Sequence, residues 1–244
     1  MSLLNNLSTA DDIQDEKDSV GGSRTLESGL YKTKITMAYL QKSKGGALGV
    51  FLHLKTTDDQ EIRQTLWATS GDKKGNKTFY EDRNGKKQYL PGFNHANSLC
   101  LLTEGKEISA METEEKVVKL YNKDAGGEIP TKVDMLVDLL GKEILVGLLK
   151  QVVDKTAPND SGAYIPTGET REENEIDKLF RASDRMTTAE IRAQAEEANF
   201  ADTWEKKWTG VTKDRSTKST GTGSAAGAPK GDKPAGKPKT SLFG

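Results

Sequence analysis

The chain has 244 residues, enough for one well-buried domain plus extensions or for two small ones. With 34% hydrophobic and 30% charged residues, a sizeable part should lie outside any core, and no apolar run approaches the roughly twenty residues that span a bilayer. A net charge of −1 hides segregation, since 11–18 holds five acids against Lys17 while 213–244 holds seven bases against two acids, so local patches report on partners better than the total does.

Cys100 is the single cysteine, which rules out an intramolecular disulfide or a multi-cysteine zinc site. Beside it stand only His53 and His95, so no metal and no cofactor is predicted. Residues 1–27 form an acidic segment expected to be flexible. Asp11, Asp12 and Asp15 follow soon after Leu3 and Leu4, which is not the basic-then-apolar plan of a signal peptide. A reducing cytoplasmic compartment is the expectation.

In 31–39, Tyr31, Thr33, Ile35, Met37 and Tyr39 alternate with Lys32, Lys34 and Thr36, the pattern of a half-buried strand. A glycine-relaxed connection at 42–46 leads to a second strand near 47–57. There Leu48, Val50, Leu52 and Leu54 lie on one side, and Phe51, His53 and Lys55 on the other. A third strand near 60–69 points Ile62, Leu66 and Ala68 inward and Arg63, Thr65 and Trp67 outward. Phe51, His53, Lys55, Arg63 and Trp67 should therefore share one exposed face. The alternative is that Phe51 or Trp67 packs beneath a loop or helix.

Residues 70–90 are a long polar excursion with a hairpin signal at Asn84-Gly85. A helix is predicted over 94–103, stopped by Gly105, and a strand over 116–121. Thr131 is a candidate N-cap for a second helix over 131–140. A strand over 143–154, apolar on both sides, should be covered on two faces. The fold class predicted is mainly β with accessory helices (α+β), and the element order is that of a five-stranded OB-fold barrel over 28–158.

Beyond Pro158 a helical extension packing on the core is expected over 159–211, with 175–181 readable as strand or short helix. Thr187 and Glu190 make a capping box. Phe200, Trp204 and Trp208 recur at four-residue steps, either as a stripe docking on the core or as a partner surface. Residues 212–244 mix lysine with Gly, Ala, Ser, Thr and Pro and should be a disordered basic tail.

The most telling stretch is 63–90. Trp67, Phe79, Tyr80 and Tyr89 are interleaved with Arg63, Lys73, Lys74, Lys77, Arg83, Lys86 and Lys87. Asp72, Glu81 and Asp82 leave it at plus four, in a chain that is slightly acidic overall. Cations that follow a phosphate backbone, alternating with rings that stack on bases, suit single-stranded nucleic acid. Phe51, Lys55 and Lys34 extend the candidate set. A merely solvated charged loop is the plainer alternative. A phosphate-loop motif is absent: Gly71 to Lys77 has the wrong spacing, and Gly236-Lys237 runs into proline. No enzymatic activity is predicted.

Four runs carry a resemblance: WATSGDKKGNKTFYEDRNGKKQYLPGF, NSLCLLTEGKEI, PTKVDMLVDLLGKE and MTTAEIRAQAEEANFADTWEKKWTG. Together they resemble the single-stranded DNA-binding proteins of short-tailed bacteriophages, across about residues 29–210. The resemblance implies an OB-fold core with no enzymatic activity and no required metal. It implies a role coating single strands during DNA replication and recombination in the cytoplasm of the infected host, with polymerases and other replication proteins as further partners. Carried over by position, the implied surface is Lys73, Lys74, Lys77, Phe79, Tyr80, Lys86 and Lys87, with Trp67 beside it. Where many such proteins end in an acidic tail, this tail is basic, although Leu242 and Phe243 keep an apolar tip that suits a partner. An adaptor that recruits a polymerase through its C-terminal helices is the second function to weigh.

Overall fold

In the computed structural model, which describes residues 25–122, 124–160 and 163–217, the alternating apolar pattern of the first third becomes an antiparallel meander. Strand β1 (Gly29–Lys42) pairs with β2 (Leu48–Thr56), and β2 with β3 (Glu61–Trp67). Val50, Leu52, Leu54, Ile62 and Leu66 point to one side, where they are almost fully buried. The expected side-chain division of β2 and β3 therefore holds.

β1 does not keep the single alternation read from its sequence. Its register against β2 slips between Ile35 and Met37. Such a bulge inserts one residue and reverses the facing of everything after it. Ile35 and Ala38 consequently enter the main core, whereas Met37 and Tyr39 turn to the opposite face beside Phe51.

After β3 a short turn (Asp72–Lys74) and the small hairpin β4 (Phe79–Glu81) and β5 (Lys87–Tyr89) lead into helix α1 (Pro91–Glu104). Proline at the first position and Gly105 in a left-handed C-cap delimit that helix. Ala96, Leu99, Cys100 and Leu102 form its buried side. The core lies between α1 and the sheet, completed by Leu139, Ile144, Val146, Leu148, Ile176 and Leu179.

The helix expected over 131–140 is not formed. Strand β6 (Glu114–Asn122) pairs instead with β7 (Gly127–Met135), and only a short helical turn (Val137–Leu139) follows. Ile129, Thr131, Val133 and Met135 alternate along β7, and its end joins β1 through Tyr39 and Leu40. Period-two packing against Tyr39 outweighs the cap signal of Thr131.

β8 (Glu143–Pro158) runs between β1 and β9 (Tyr164–Arg181), a strand of 18 residues inside the expected helical extension, of which the sequence leaves 175–181 alone open as strand or short helix. The expectation that β8 is covered twice is met. Val146 and Leu148 face the main core, while Leu149 packs with Phe180 and Trp204. Helices α2 (Thr188–Arg192) and α3 (Asn199–Trp208) complete the C-terminal part, and β10 (Thr212–Asp214) adds a parallel edge to β8.

The Thr187–Glu190 capping box is present in both directions. Trp204 is 3% exposed and donates its indole N–H to Asp177 at 2.7 Å, so it docks α3 on the sheet. Trp208 packs at the edge of the same cluster, whereas Phe200 remains 40% exposed.

The chain is mainly β, and the sheet does not close into a barrel through its backbone. Where β3 approaches β9, the Ile176 amide donates to the Gln64 side-chain carbonyl at 2.6 Å. Among the described residues no helix is long and apolar enough to cross a membrane. Residues 11–18 and the tail tip at Leu242 and Phe243 lie outside the described residues.

Candidate nucleic-acid interface

On the sheet face away from the core, the register sets Lys34 beside Lys55, Tyr39 beside Phe51, His53 beside Arg63, and Phe51 beside Thr65. Tyr39 and Phe51 stack with centroids 5.1 Å apart, and Phe51 meets Trp67 edge-to-face at 6.0 Å. These three rings form a row across three strands. They are not equally available. Tyr39 is 3% exposed beneath Val133 and Met135, Phe51 is half-buried, and Trp67 is 41% exposed. Tyr39 thus serves as backing and Trp67 as the open surface.

Two glycines fix the indole. A methyl group at Gly49 would sit 2.9 Å from the Thr65 methyl and 3.0 Å from the Trp67 six-membered ring, so the bare backbone lets the ring lie close across β2. At Gly92 the same methyl would fall 2.3 Å from the Trp67 carbonyl oxygen. The first turn of α1 is therefore pressed onto the Trp67 backbone, holding the side chain from behind.

The face is less basic than its lysine and arginine suggest. Lys55 pairs with Asp59 at 2.9 Å and Arg63 with Glu61 at 2.6 Å. His53 adds no cation at neutral pH, because burial and then the Arg63 charge push its pKa below the ordinary value. A shallow depression of about 130 Å³ opens among Phe51, His53, Arg63 and Thr65.

The loop cations are placed differently. Among the described residues, Lys73, Lys74, Lys77, Arg83, Lys86 and Lys87 have no carboxylate within ion-pair distance. Two of the three acids in the stretch hold turns instead. Asp72 donates its amide to the Gly45 carbonyl at 2.9 Å and accepts from Asn76 at 2.5 Å, fastening the turn that presents Lys73 and Lys74. Asp82 accepts the amides of Lys86 and Asn84, both at 2.9 Å, and the Gln88 side chain at 3.1 Å. Those amide donors hold its carboxyl below the usual range, with Lys86 contributing most.

On the hairpin, Lys87 and Lys77 lie over Phe79 with ammonium-to-centroid distances of 5.0 and 5.8 Å. Tyr80 turns away from this cluster to line a cleft against α1, whereas Tyr89, opposite Phe79 in the register, packs on Phe93 with centroids 4.9 Å apart and borders the cleft from that side. The predicted residues thus fall into three groups. Lys34, Phe51, Lys55, Arg63 and Trp67 share the sheet face, Lys73, Lys74, Lys77, Phe79, Arg83, Lys86 and Lys87 populate the turn and hairpin, and Tyr80 and Tyr89 border the cleft.

Tyr39, Gly49 and Gly92 escaped the sequence reading. For Tyr39 the obstacle is the bulge, which no alternation rule exposes. The glycines look like ordinary punctuation until the neighbouring indole is in view. Cys100 is buried, with its thiol pushed up to about 12 mainly by desolvation, and is inert as a nucleophile. No known family model matches the chain, and no curated protein does.

Proposed function

We propose that this protein binds single-stranded DNA with little regard for sequence and coats it during phage DNA replication and recombination. An OB-fold-like body supports this reading. The order β8-β1-β2-β3, with β9 on the far side of β8 and a helix after the third strand, is consistent with that fold's plan, and the Gln64 side chain reaches the Ile176 amide on β9 where a last ladder would run.

The carrying observation is the Trp67 ring, held across Gly49 next to Phe51 on a cation-bearing sheet face. A base has a π-face whatever its identity, so stacking on an open indole is indifferent to sequence and worth about 1–3 kcal/mol per base. The unpaired hairpin and turn lysines supply phosphate contacts, each releasing counterions with a log–log salt slope near −0.7 on single strands. Binding alone, without catalysis, accounts for both features.

The test is fluorescence-anisotropy titration of labelled oligo-dT across a salt series. Wild-type affinity should fall steeply with salt, and Lys73→Ala should make the slope shallower by about 0.7. Affinity that ignores salt, or an absence of binding at low salt, contradicts the proposal.

A further inference from the structure

A cleft of about 530 Å³ lies between the β4–β5 hairpin, α1 and the α2–α3 segment, away from the sheet face described above. Its size is within the roughly 300–1,000 Å³ usual for small-ligand sites. Three aromatic residues line it, Tyr80, Tyr89 and Phe200, with Lys178 and Arg192 as its cations. None of the described residues lining it is acidic, although Glu107 lies 4.0 Å from the Arg192 guanidinium. In a chain with 37 acids among 244 residues, sixteen lining positions would by chance include about two. The lining also offers the side-chain amides of Gln88, Asn94 and Asn97. Gln88 is committed, donating to Asp82 at 3.1 Å and accepting from the Tyr80 hydroxyl at 3.2 Å, and the Asn97 carbonyl accepts the Ile108 amide at 2.9 Å, but Asn94 is exposed at the rim.

Rings, amides and cations match the three parts of a nucleotide. Aromatic faces take an unstacked base, amides pair with its Watson–Crick edge, and Arg and Lys take the phosphate. The imidazole of His95 is fixed in the wall, with Nε2–H donating to the Asp177 carbonyl at 3.0 Å, which leaves Nδ1 as an acceptor. The hairpin that carries Lys77, Phe79 and Lys87 also supplies Tyr80 and Tyr89 to this cleft, so one element serves both places.

We propose that the cleft receives one splayed-out nucleotide of the bound strand, its base among Tyr80, Tyr89 and Phe200 and its phosphate on Lys178 and Arg192. The proposal rests on the single-strand reading and deepens it. A pocketed nucleotide fixes the strand's path around the hairpin and lengthens the footprint of each protein molecule.

The experiment compares wild-type full-length protein with Ala189→Trp, which fills the cleft from an exposed lining position, and with Lys178→Ala/Arg192→Ala, which removes two exposed cations. Affinity is measured for an oligo-dT length series, and for dTMP alone. The cleft variants should match wild type on the shortest oligonucleotides that bind, yet lose about tenfold or more on long ones, with a smaller occluded site. Photo-crosslinks from bromodeoxyuridine-substituted strands to Tyr80 or Tyr89 should vanish in Ala189→Trp. Unchanged long-strand affinity and crosslinks in both variants would overturn the cleft proposal and leave the sheet-face reading intact. Absence of wild-type oligonucleotide binding overturns both. Binding of dTMP that Ala189→Trp blocks, with long-strand affinity untouched, would mean a free nucleotide and overturn the strand assignment.

Discussion

At the level of single residues, function concentrates on Trp67 because its surroundings leave it one place to go. Gly49 clears the space beneath the ring, Gly92 admits α1 behind it, and Phe51 and Tyr39 extend the aromatic row into the protein. Trp67→Ala should cost about 1–3 kcal/mol of single-strand affinity, most visibly at high salt where the ionic contribution has faded. His53 provides the contrast. Its lowered pKa keeps the ring neutral at pH 7.5, so it releases no counterion. His53→Ala should leave the salt slope unchanged at that pH, as isothermal titration across a salt series would show. A slope shallower by about 0.7 would mean that the imidazole is charged in the complex.

Among the elements, the β4–β5 hairpin is the most exposed piece of candidate interface, and its geometry depends on one carboxylate. Asp82 ties the turn by accepting two backbone amides, and its folded-state pKa is depressed. A depressed carboxylate stabilises above its unfolded pKa of about 3.9, and the contribution disappears as pH falls through the folded value. The Lys86 amide resonance should therefore hold its position down to about pH 4 and move only below it, and Asp82→Asn should abolish the transition. The hairpin itself was legible from Asn84-Gly85 between two aromatic runs. α1 was equally clear from its apolar positions and Gly105. β7 was not, because Thr131 followed by apolar residues fits a helix start as well as a strand. Only the partner β6 and the packing of Val133 and Met135 on Tyr39 decide between them. β9 was obscure for a related reason: many of its residues from Tyr164 to Glu175 are polar and exposed, and pairing with β8 rather than a buried face keeps them extended.

Over the whole molecule, stability and binding are assigned to different aromatics. Trp204 joins α3 to β8 and β9 through Gly147, Phe180 and Asp177, whereas Trp67 contributes little to burial. Trp204→Ala should lower folding stability by about 3–5 kcal/mol in urea unfolding. The folded fraction should keep its affinity for oligo-dT. The candidate strand-binding residues were readable in kind, as rings among lysines, but not in arrangement. Sequence suggested one stretch of interleaved rings and cations, while the fold separates a sheet face, a cationic hairpin and a cleft. The difference arises because neighbours such as Tyr80 and Phe79 point to opposite sides of a two-stranded ribbon. The central claim is that an unpaired strand stacks on Trp67. Tryptophan fluorescence during oligo-dT titration tests it most directly, comparing wild type with Trp67→Phe. Emission should be quenched in the wild-type protein, and the quench should vanish in Trp67→Phe while anisotropy still reports binding. Quenching that persists without Trp67, or wild-type binding that leaves emission unchanged, would contradict the account.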